Sequence, residues 1–442
     1  NGSIPINFEI EYNSNLLNNG VMGRGWHHNY EANIEELEDK NIIVKWNSNM
    51  SNLYYLNERG QYIGRDKSTF YDEIAKKEDG SYVLKRKDQT TYIFDHNGNM
   101  TRIIDRNGKQ LILSYDDDNN LKDITEPIST KKLTFNYNAK GLLLSVRDGL
   151  NREVLFTYDG TNTISAIIDV EGNTTTYTYN VDGRIMTGTD SRGVAIFSNT
   201  YDDQGRVVTQ YDGMSKTPTI FKYDTDSESG MFVTTVLNRN GSKKTFSHDS
   251  MLYLVSDSTG SSYTYDELGN RTSITDANGN TSLVDYDEYS NPITITDAMG
   301  NVTNMTYDEG GNLLLVEYPD GNSLSYVYDD SNNLLSVTDE LDNKTEYSYN
   351  SDGLLESVTN PVGAAINYTY DKGLISTVAD PEGNTSAIEY DDAGRVTKTT
   401  DSLGNSIRIV YDNIGNVIKM TDARGYSKTY TYDCYGNMLS ET

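Results

Sequence analysis

A Tyr-Asp or Tyr-Asn pair returns at Tyr265, Tyr286, Tyr307, Tyr328, Tyr349, Tyr370, Tyr390, Tyr411 and Tyr432, in steps of 21 residues with a single step of 20. A second series, Thr275, Thr296, Glu317, Thr338, Thr359, Ala379, Thr400 and Thr421, carries the same shortened step at the same place. Two interleaved series that share one deletion mean one repeating unit. Chain length therefore says nothing about domain number here, because such a chain stacks copies of one supersecondary element.

Each unit reads Tyr-Asp-x-x-Gly-Asn/Arg, a few residues, Thr-Asp-x-x-Gly-Asn, and a few more. The copy YDELGNRTSITDANGNTSLVDYD displays it clearly, with Tyr265, Asp266, Gly269, Thr275, Asp276, Gly279 and Tyr286 at the signature positions and Gly300 continuing the series. An Asp that opens a turn bonds nearby backbone amides, and a Gly three residues later supplies the left-handed conformation that closes a short hairpin. Gly279 and Gly300 are therefore expected at positive φ. Between turns the apolar residues alternate, as in Tyr263 and Tyr265, Tyr326 and Tyr328, or Ile409 and Tyr411. Period two between polar turns predicts half-buried strands. The strand before Tyr286 should pair antiparallel with the strand before Thr275.

Less regular units begin upstream at Phe94, Tyr115, Tyr137, Tyr158, Tyr179, Tyr201 and Tyr223. The pattern blurs around Phe246, which reads as a bulge or loop insertion. Residues 1–90 do not repeat and are expected to form a β-rich N-terminal cap, with the tandem repeats occupying 91–442; repeat arrays need a different terminal unit. Asn, Asp, Gly, Thr and the 35 tyrosines against nine phenylalanines favour many short strands, so the chain reads as all-β. Roughly thirty-odd strands at about 4.8 Å each make a ribbon about 150 Å long. Open sheets of more than about ten strands curl, and a barrel of sixteen already leaves a channel. The expected fold is a long curled or spiralling sheet of antiparallel hairpins, a hollow shell or part of one.

The formal charge of −29 repels phosphate backbones and anionic lipid, which disfavours nucleic-acid binding. No stretch approaches eighteen apolar residues, so no membrane span is expected. The single cysteine, Cys434, excludes an internal disulfide framework and reads as a tolerated turn residue. A start at Asn1 and a stop at Thr442 inside a repeat suggest a piece of a longer polypeptide.

This 21-residue unit resembles the YD or Rhs repeats of bacterial polymorphic toxins, wall-associated proteins, insecticidal toxin-complex subunits and animal teneurins. YNSNLLNNGVMGRGW, from Tyr12 to Trp26, is similar to the segment that precedes such repeats in bacterial members. The resemblance covers nearly the whole chain and implies a β-strip spiralling into a shell that holds a toxin segment, or a rigid body for surface contact. It also implies a secreted, cell-surface or cell-wall location. Its partners would be the rest of its own polypeptide, including an enclosed C-terminal toxin segment, and a surface glycan or protein receptor. Family members that release a toxin carry a core segment with self-cleaving aspartates after the repeats, and none precedes Thr442.

Candidate chemistry is thin. His27 and His28 lie beside Trp26 without cysteine partners, which argues for packing over zinc. No nucleophile-elbow motif occurs, and Asp recurs at every turn for a backbone reason, so paired catalytic carboxylates are not indicated. DDDNN at Asp116 to Asn120 and DANGN at Asp276 to Asn280 lack the bidentate Glu of a calcium loop. No catalytic, metal or cofactor site is expected, and the chain reads as a non-catalytic scaffold. The tyrosine ladder reads as cross-strand packing along one face. The alternatives are a carbohydrate-binding adhesin that stacks sugars on those tyrosines, and a polysaccharide lyase on a parallel β-helix, which would not need a hairpin turn in every half-unit.

Overall fold

The computed structural model describes residues 4–15, 19–47, 50–127, 131–213, 215–433 and 436–442. Cys434 lies outside them. The described chain is built of β-strands, with one short 3-10 turn at Lys67–Thr69. An N-terminal part pairs Ile10–Tyr12 with Trp26–His28 and Asn19–Gly20 with Gly23–Arg24. It continues into a four-stranded meander of Asn33–Glu36, Ile42–Lys45, Ser51–Leu56 and Tyr62–Gly64. A single sheet of 36 strands then runs from Glu73–Lys76 to Met438–Glu441, each strand paired antiparallel with the one before. Glu73–Lys76 pairs only with Tyr82–Lys85, and Met438–Glu441 only with Ser427–Tyr432, so both ends are free edges and the sheet is an open strip. The antiparallel pairing of Arg271–Thr275 with Thr281–Tyr286 excludes a parallel β-helix.

The turns explain the strip's regularity. In the turn after Tyr265, the Asp266 carboxylate accepts from the amides of Leu268 and Asn270, and its second oxygen accepts from the Asn270 side chain. The Gly269 amide donates to the Asp266 carbonyl while Gly269 sits at φ +75°. The turn after Thr275 repeats this with Asp276, Asn278, Asn280 and Gly279 at φ +86°, and Gly300 lies at +84°. Where glycine is missing, Asn119, Asn162, Asn332 and Ser290 take the left-handed position. Asn tolerates it because its short polar side chain bonds locally.

The strip winds past a full circle and meets itself. Lys87 donates to the Asn291 side chain across 204 residues, and Arg152 to the Asn413 carbonyl across 261. One winding therefore takes 19 strands at its start and 25 near its end.

Tyrosines and aliphatics share one face. Threonines and serines take the other, where Thr178 meets Thr187 and Thr200 meets Thr209 across the strands at 2.6 Å. On the tyrosine face Phe94, Leu113, Phe135, Phe156, Ile164 and Ile185 form one core with Met22, Trp26, Ile34, Ile42 and Tyr54 of the N-terminal part. Thirteen strands contribute, from Glu73–Lys76 to Ala195–Tyr201, which laid flat would span about 60 Å. A body of about 60 residues is only about 27 Å across. The sheet must wrap round it, so the tyrosine face lines the inside.

Gly279 and Gly300 have open space where a side chain would sit, which leaves backbone conformation as the sole obstacle to substitution. Gly279→Val or Gly300→Val should destabilise the strip by about 1 kcal/mol or more. A thermal-melting comparison with the parent reads it, and unchanged melting would contradict the turn geometry.

Candidate functional site: the tyrosine ladder, the cap and the winding seam

The two hairpins of a unit are zipped to different extents. Around the Tyr-Asp turn the ladder runs to the rim: Leu283 to Tyr286 pair with Thr296 to Pro292 through a bulge. Around the Thr-Asp turn only three residue pairs form, Ser273 with Leu283, Ile274 with Ser282 and Thr275 with Thr281. Toward the Tyr-Asp rim these strands leave backbone groups without ladder partners, and such groups are costly when withdrawn from water.

The tyrosine fills that gap. Tyr286 donates its hydroxyl to the carbonyl of Arg271, and Tyr307, Tyr349, Tyr370, Tyr390, Tyr411 and Tyr432 repeat the bond to Pro292, Leu334, Leu355, Ile375, Val396 and Val417. Tyr115, Tyr137, Tyr158, Tyr179, Tyr201 and Tyr223 do the same in the first winding. Tyr265 reaches Leu254 across a shorter loop. Tyr328 ends the strand Ser323–Tyr328 in the same register, paired with Leu334 past a bulge. Burial raises the hydroxyl pKa of Tyr115, Tyr137, Tyr158 and Tyr179, and more weakly that of Tyr286, Tyr307 and Tyr370, which keeps them as donors.

The sequence expectation of simple cross-strand packing missed this bond. The available signal was the excess of tyrosine over phenylalanine, since packing alone does not need a hydroxyl. Two exceptions support the reason. Phe94 pairs directly with Tyr82, so its ladder already reaches the rim. His248, followed by Asp249, occupies the missing Tyr-Asp position between Tyr223 and Tyr265, and it pairs directly with Phe232 in a hairpin of six residue pairs. The blur around Phe246 coincides with a bulge between Ser247 and His248. Beside that bulge lie two fully zipped hairpins of six residue pairs each, in which no carbonyl awaits a phenol.

The N-terminal part docks on the Tyr-Asp rim and inside the first winding. Tyr12 donates to the Gly183 carbonyl and accepts from the Ile185 amide, Ile34 donates to the Gly98 carbonyl, and Leu143 donates to the Val21 carbonyl. The Trp26 indole donates to the Tyr179 hydroxyl at 2.9 Å. His27 and His28 are buried; His28 packs on Phe8 and Phe135, and its Nδ1 accepts from the Tyr30 amide. Burial, helped by the adjacent His27, lowers the His28 pKa to about 3. Burial raises that of Glu31 to about 7, against the bond it accepts from the His28 amide.

The seam between windings joins the Thr-Asp rim of the first to the Tyr-Asp rim of the second. Lys67 donates to the Gly269 carbonyl, Lys87 to Asn291 Oδ1, Arg106 to the Asn332 carbonyl and Arg152 to the Asn413 carbonyl. Tyr71 packs against Tyr289 with tilted rings at 5.3 Å and accepts from the Asn291 side chain. Approach is close at Gly353, where an added Cβ would lie 2.2 Å from Asn107.

Among the described residues no group of three His, Cys, Asp or Glu side chains could hold a metal ion, and no helix is long and apolar enough to cross a membrane. The Asp116 carboxylate binds the amides of its own turn, Asp118 and Asn120.

The Teneurin YD-shell family model matches residues 70–250 and 277–404, more than two thirds of the chain. The RHS Repeat matches residues 254–281, and a domain of unknown function, DUF6531, matches residues 1–55. No curated protein matches the sequence. Among solved structures, the crystal structure of TcdB2-TccC3 is 14% identical with a TM-score of 0.54, over 94% of this chain and 30% of that one. TcdB2-TccC3-TEV is 15% identical with a TM-score of 0.47, over 89% and 24%. The Photorhabdus luminescens Tc holotoxin pore is 13% identical with a TM-score of 0.43, over 94% and 27%. The chain spans less than a third of the length of each, and the likeness to TcdB2-TccC3 is one of fold.

Tyr370→Phe and Tyr411→Phe should each lower stability by about 1 kcal/mol, the net value of one hydrogen bond, with the carbonyls of Leu355 and Val396 left unpaired. Urea melts read the loss; variants as stable as the parent would show that only the ring matters. A second expectation concerns pH. The folded pKa of Glu31 is raised, so its contribution to cap docking is whole below pH 4.5 and lost as pH rises through 7. His28 acts oppositely, whole above pH 6.5 and lost toward 3. Glu31→Gln should therefore protect cap amides from hydrogen exchange, relative to the parent, more at pH 8 than at pH 4.5.

Proposed function

The chain belongs to the teneurin YD-shell family, and from that membership we propose that it is a non-catalytic wall segment of an exported protein, enclosing a segment of its own longer polypeptide. The observation that carries this reading is the inward tyrosine face together with a winding that passes a full circle. At about 4.8 Å per strand, 19 to 25 strands make a ring about 30–40 Å across, and lining side chains about 5 Å deep leave a bore of about 20–30 Å. The cap occupies that bore in the first winding. In the second winding Ile274, Ile295 and Ile366, on the same face, stay more than a third exposed. A bore lined by exposed aliphatic and tyrosine side chains suits an unfolded or extended segment, whose apolar side chains need cover.

The occupant in this reading is a toxin or effector segment of the same polypeptide, and the location is outside the producing cell or on its surface. The N-terminal part through Tyr62–Gly64 acts as the plug of one end, and the strip from Glu73–Lys76 onward as the wall. A carbohydrate-binding role for the tyrosine ladder has less support, because the hydroxyls that would face a sugar are donated to the protein's own carbonyls.

Limited digestion of the native full-length polypeptide tests enclosure. A segment outside the repeats should survive proteinase K in the folded particle and be cleaved once denaturant unfolds the strip. Cleavage of every non-repeat segment at its free rate in the native particle would overturn the proposal.

A further inference from the structure

Within the strip, neighbouring strands are held by backbone ladders of mostly three to six residue pairs, by the Asp-centred turns and by the tyrosine bonds. Between the windings the bonding is of another kind. Among the described residues from Lys67 to Arg152, each hydrogen bond that crosses the seam uses a side chain on at least one lip. Across the seam these cations meet carbonyl and amide oxygens, while Arg152 also pairs with the Asp148 carboxylate of its own lip. Aspartates of the upper-lip turns add electrostatic attraction, Asp266 for Lys67, Asp287 and Asp308 for Lys87, Asp329 for Arg106 and Asp352 for Lys109. These aspartates belong to the turns of the upper lip and are already engaged with their own turn amides, for example Asp287 with Tyr289 and Asn291.

Such a seam is an electrostatic zipper across partly exposed ground. Charges several ångströms apart at a protein surface are screened as the Debye length falls from about 10 Å at 0.1 M salt to about 3 Å at 1 M. Backbone ladders are not screened in this way. The register also drifts, from 204 residues between partners at Lys87 to 261 at Arg152, so the lips are not locked to one repeat spacing.

We infer that this shell opens along the winding seam, the second winding lifting from the first while every strand pair stays intact, and that ionic strength and the lower-lip cations Lys67, Lys87, Arg106 and Arg152 set how readily it does so. The inference stands apart from the enclosure reading, since the seam parts whether or not the bore is filled. It supplies a route into and out of the bore that does not require unfolding the wall.

Distances between spin labels test it directly. With Cys434→Ser, labels at Leu155→Cys and Val410→Cys lie on exposed outward positions on either side of the Arg152–Asn413 contact. A control pair, Leu283→Cys and Val327→Cys, lies within the second winding. Raising salt from 0.05 M to 1 M should lengthen the seam distance by more than one strand spacing, about 5 Å, and broaden it, with the control unmoved. The triple change Lys87→Glu, Arg106→Glu and Arg152→Glu should give the open distance already at low salt. A seam distance unchanged by salt in the otherwise unaltered shell would overturn the inference. So would a control distance that lengthens in parallel, because the strip itself would then be parting.

Discussion

The bond from a tyrosine hydroxyl to the carbonyl at the start of the neighbouring strand is the interaction on which this architecture rests. A hairpin zipped at one end and unzipped at the other leaves backbone groups at one rim without ladder partners. Left alone, the unzipped end would expose carbonyls on the inner face at every unit, as at Arg271, Pro292, Leu334 and Leu355. The phenol is long enough to span the gap, apolar enough to line the bore and polar at its tip. Phenylalanine would meet the first two requirements alone. Phe94 and His248 stand where the ladder closes the gap by itself, so the choice of residue follows the state of the backbone.

Curvature sets the remaining problems, and the chain answers each with different chemistry. One open end of the first winding is filled by the apolar N-terminal part, which buries Met22, Trp26, Ile34 and Tyr54 against Phe94, Phe135 and Phe156. A buried Glu31 and a buried, neutral His28 at that junction tie docking to a window of mild acidity. The lower rim of the first winding is covered by the second through cations and packed tyrosines rather than an apolar core. The chain thus has a strong direction along the sheet and a weak one across the windings.

Much of the fold was legible in the sequence, because much of it is local. Asp276, Asn280 and Gly279 make their contacts within five residues, so a turn's chemistry is written in the turn. The alternation between Tyr263 and Tyr265 assigns strands and faces for the same reason. The fully zipped hairpins around His248 were not legible as such, since extra ladder bonds change no side chain except the one they make unnecessary. The N-terminal part offered no repeat to read, and its docking depends on pairs as distant as Tyr12 with Gly183.

What the amino-acid order determined by itself was an antiparallel strip of hairpins with one tyrosine-lined face, because turn geometry and side-chain alternation act over ten residues or fewer. That this strip bends with the tyrosines inward, takes 19 strands for its first circuit and 25 later, and grips itself by lysine and arginine was decided only in three dimensions. Those contacts join residues more than 200 positions apart. Their geometry is the accumulated sum of small bends between many neighbouring strands, and no single unit records that sum.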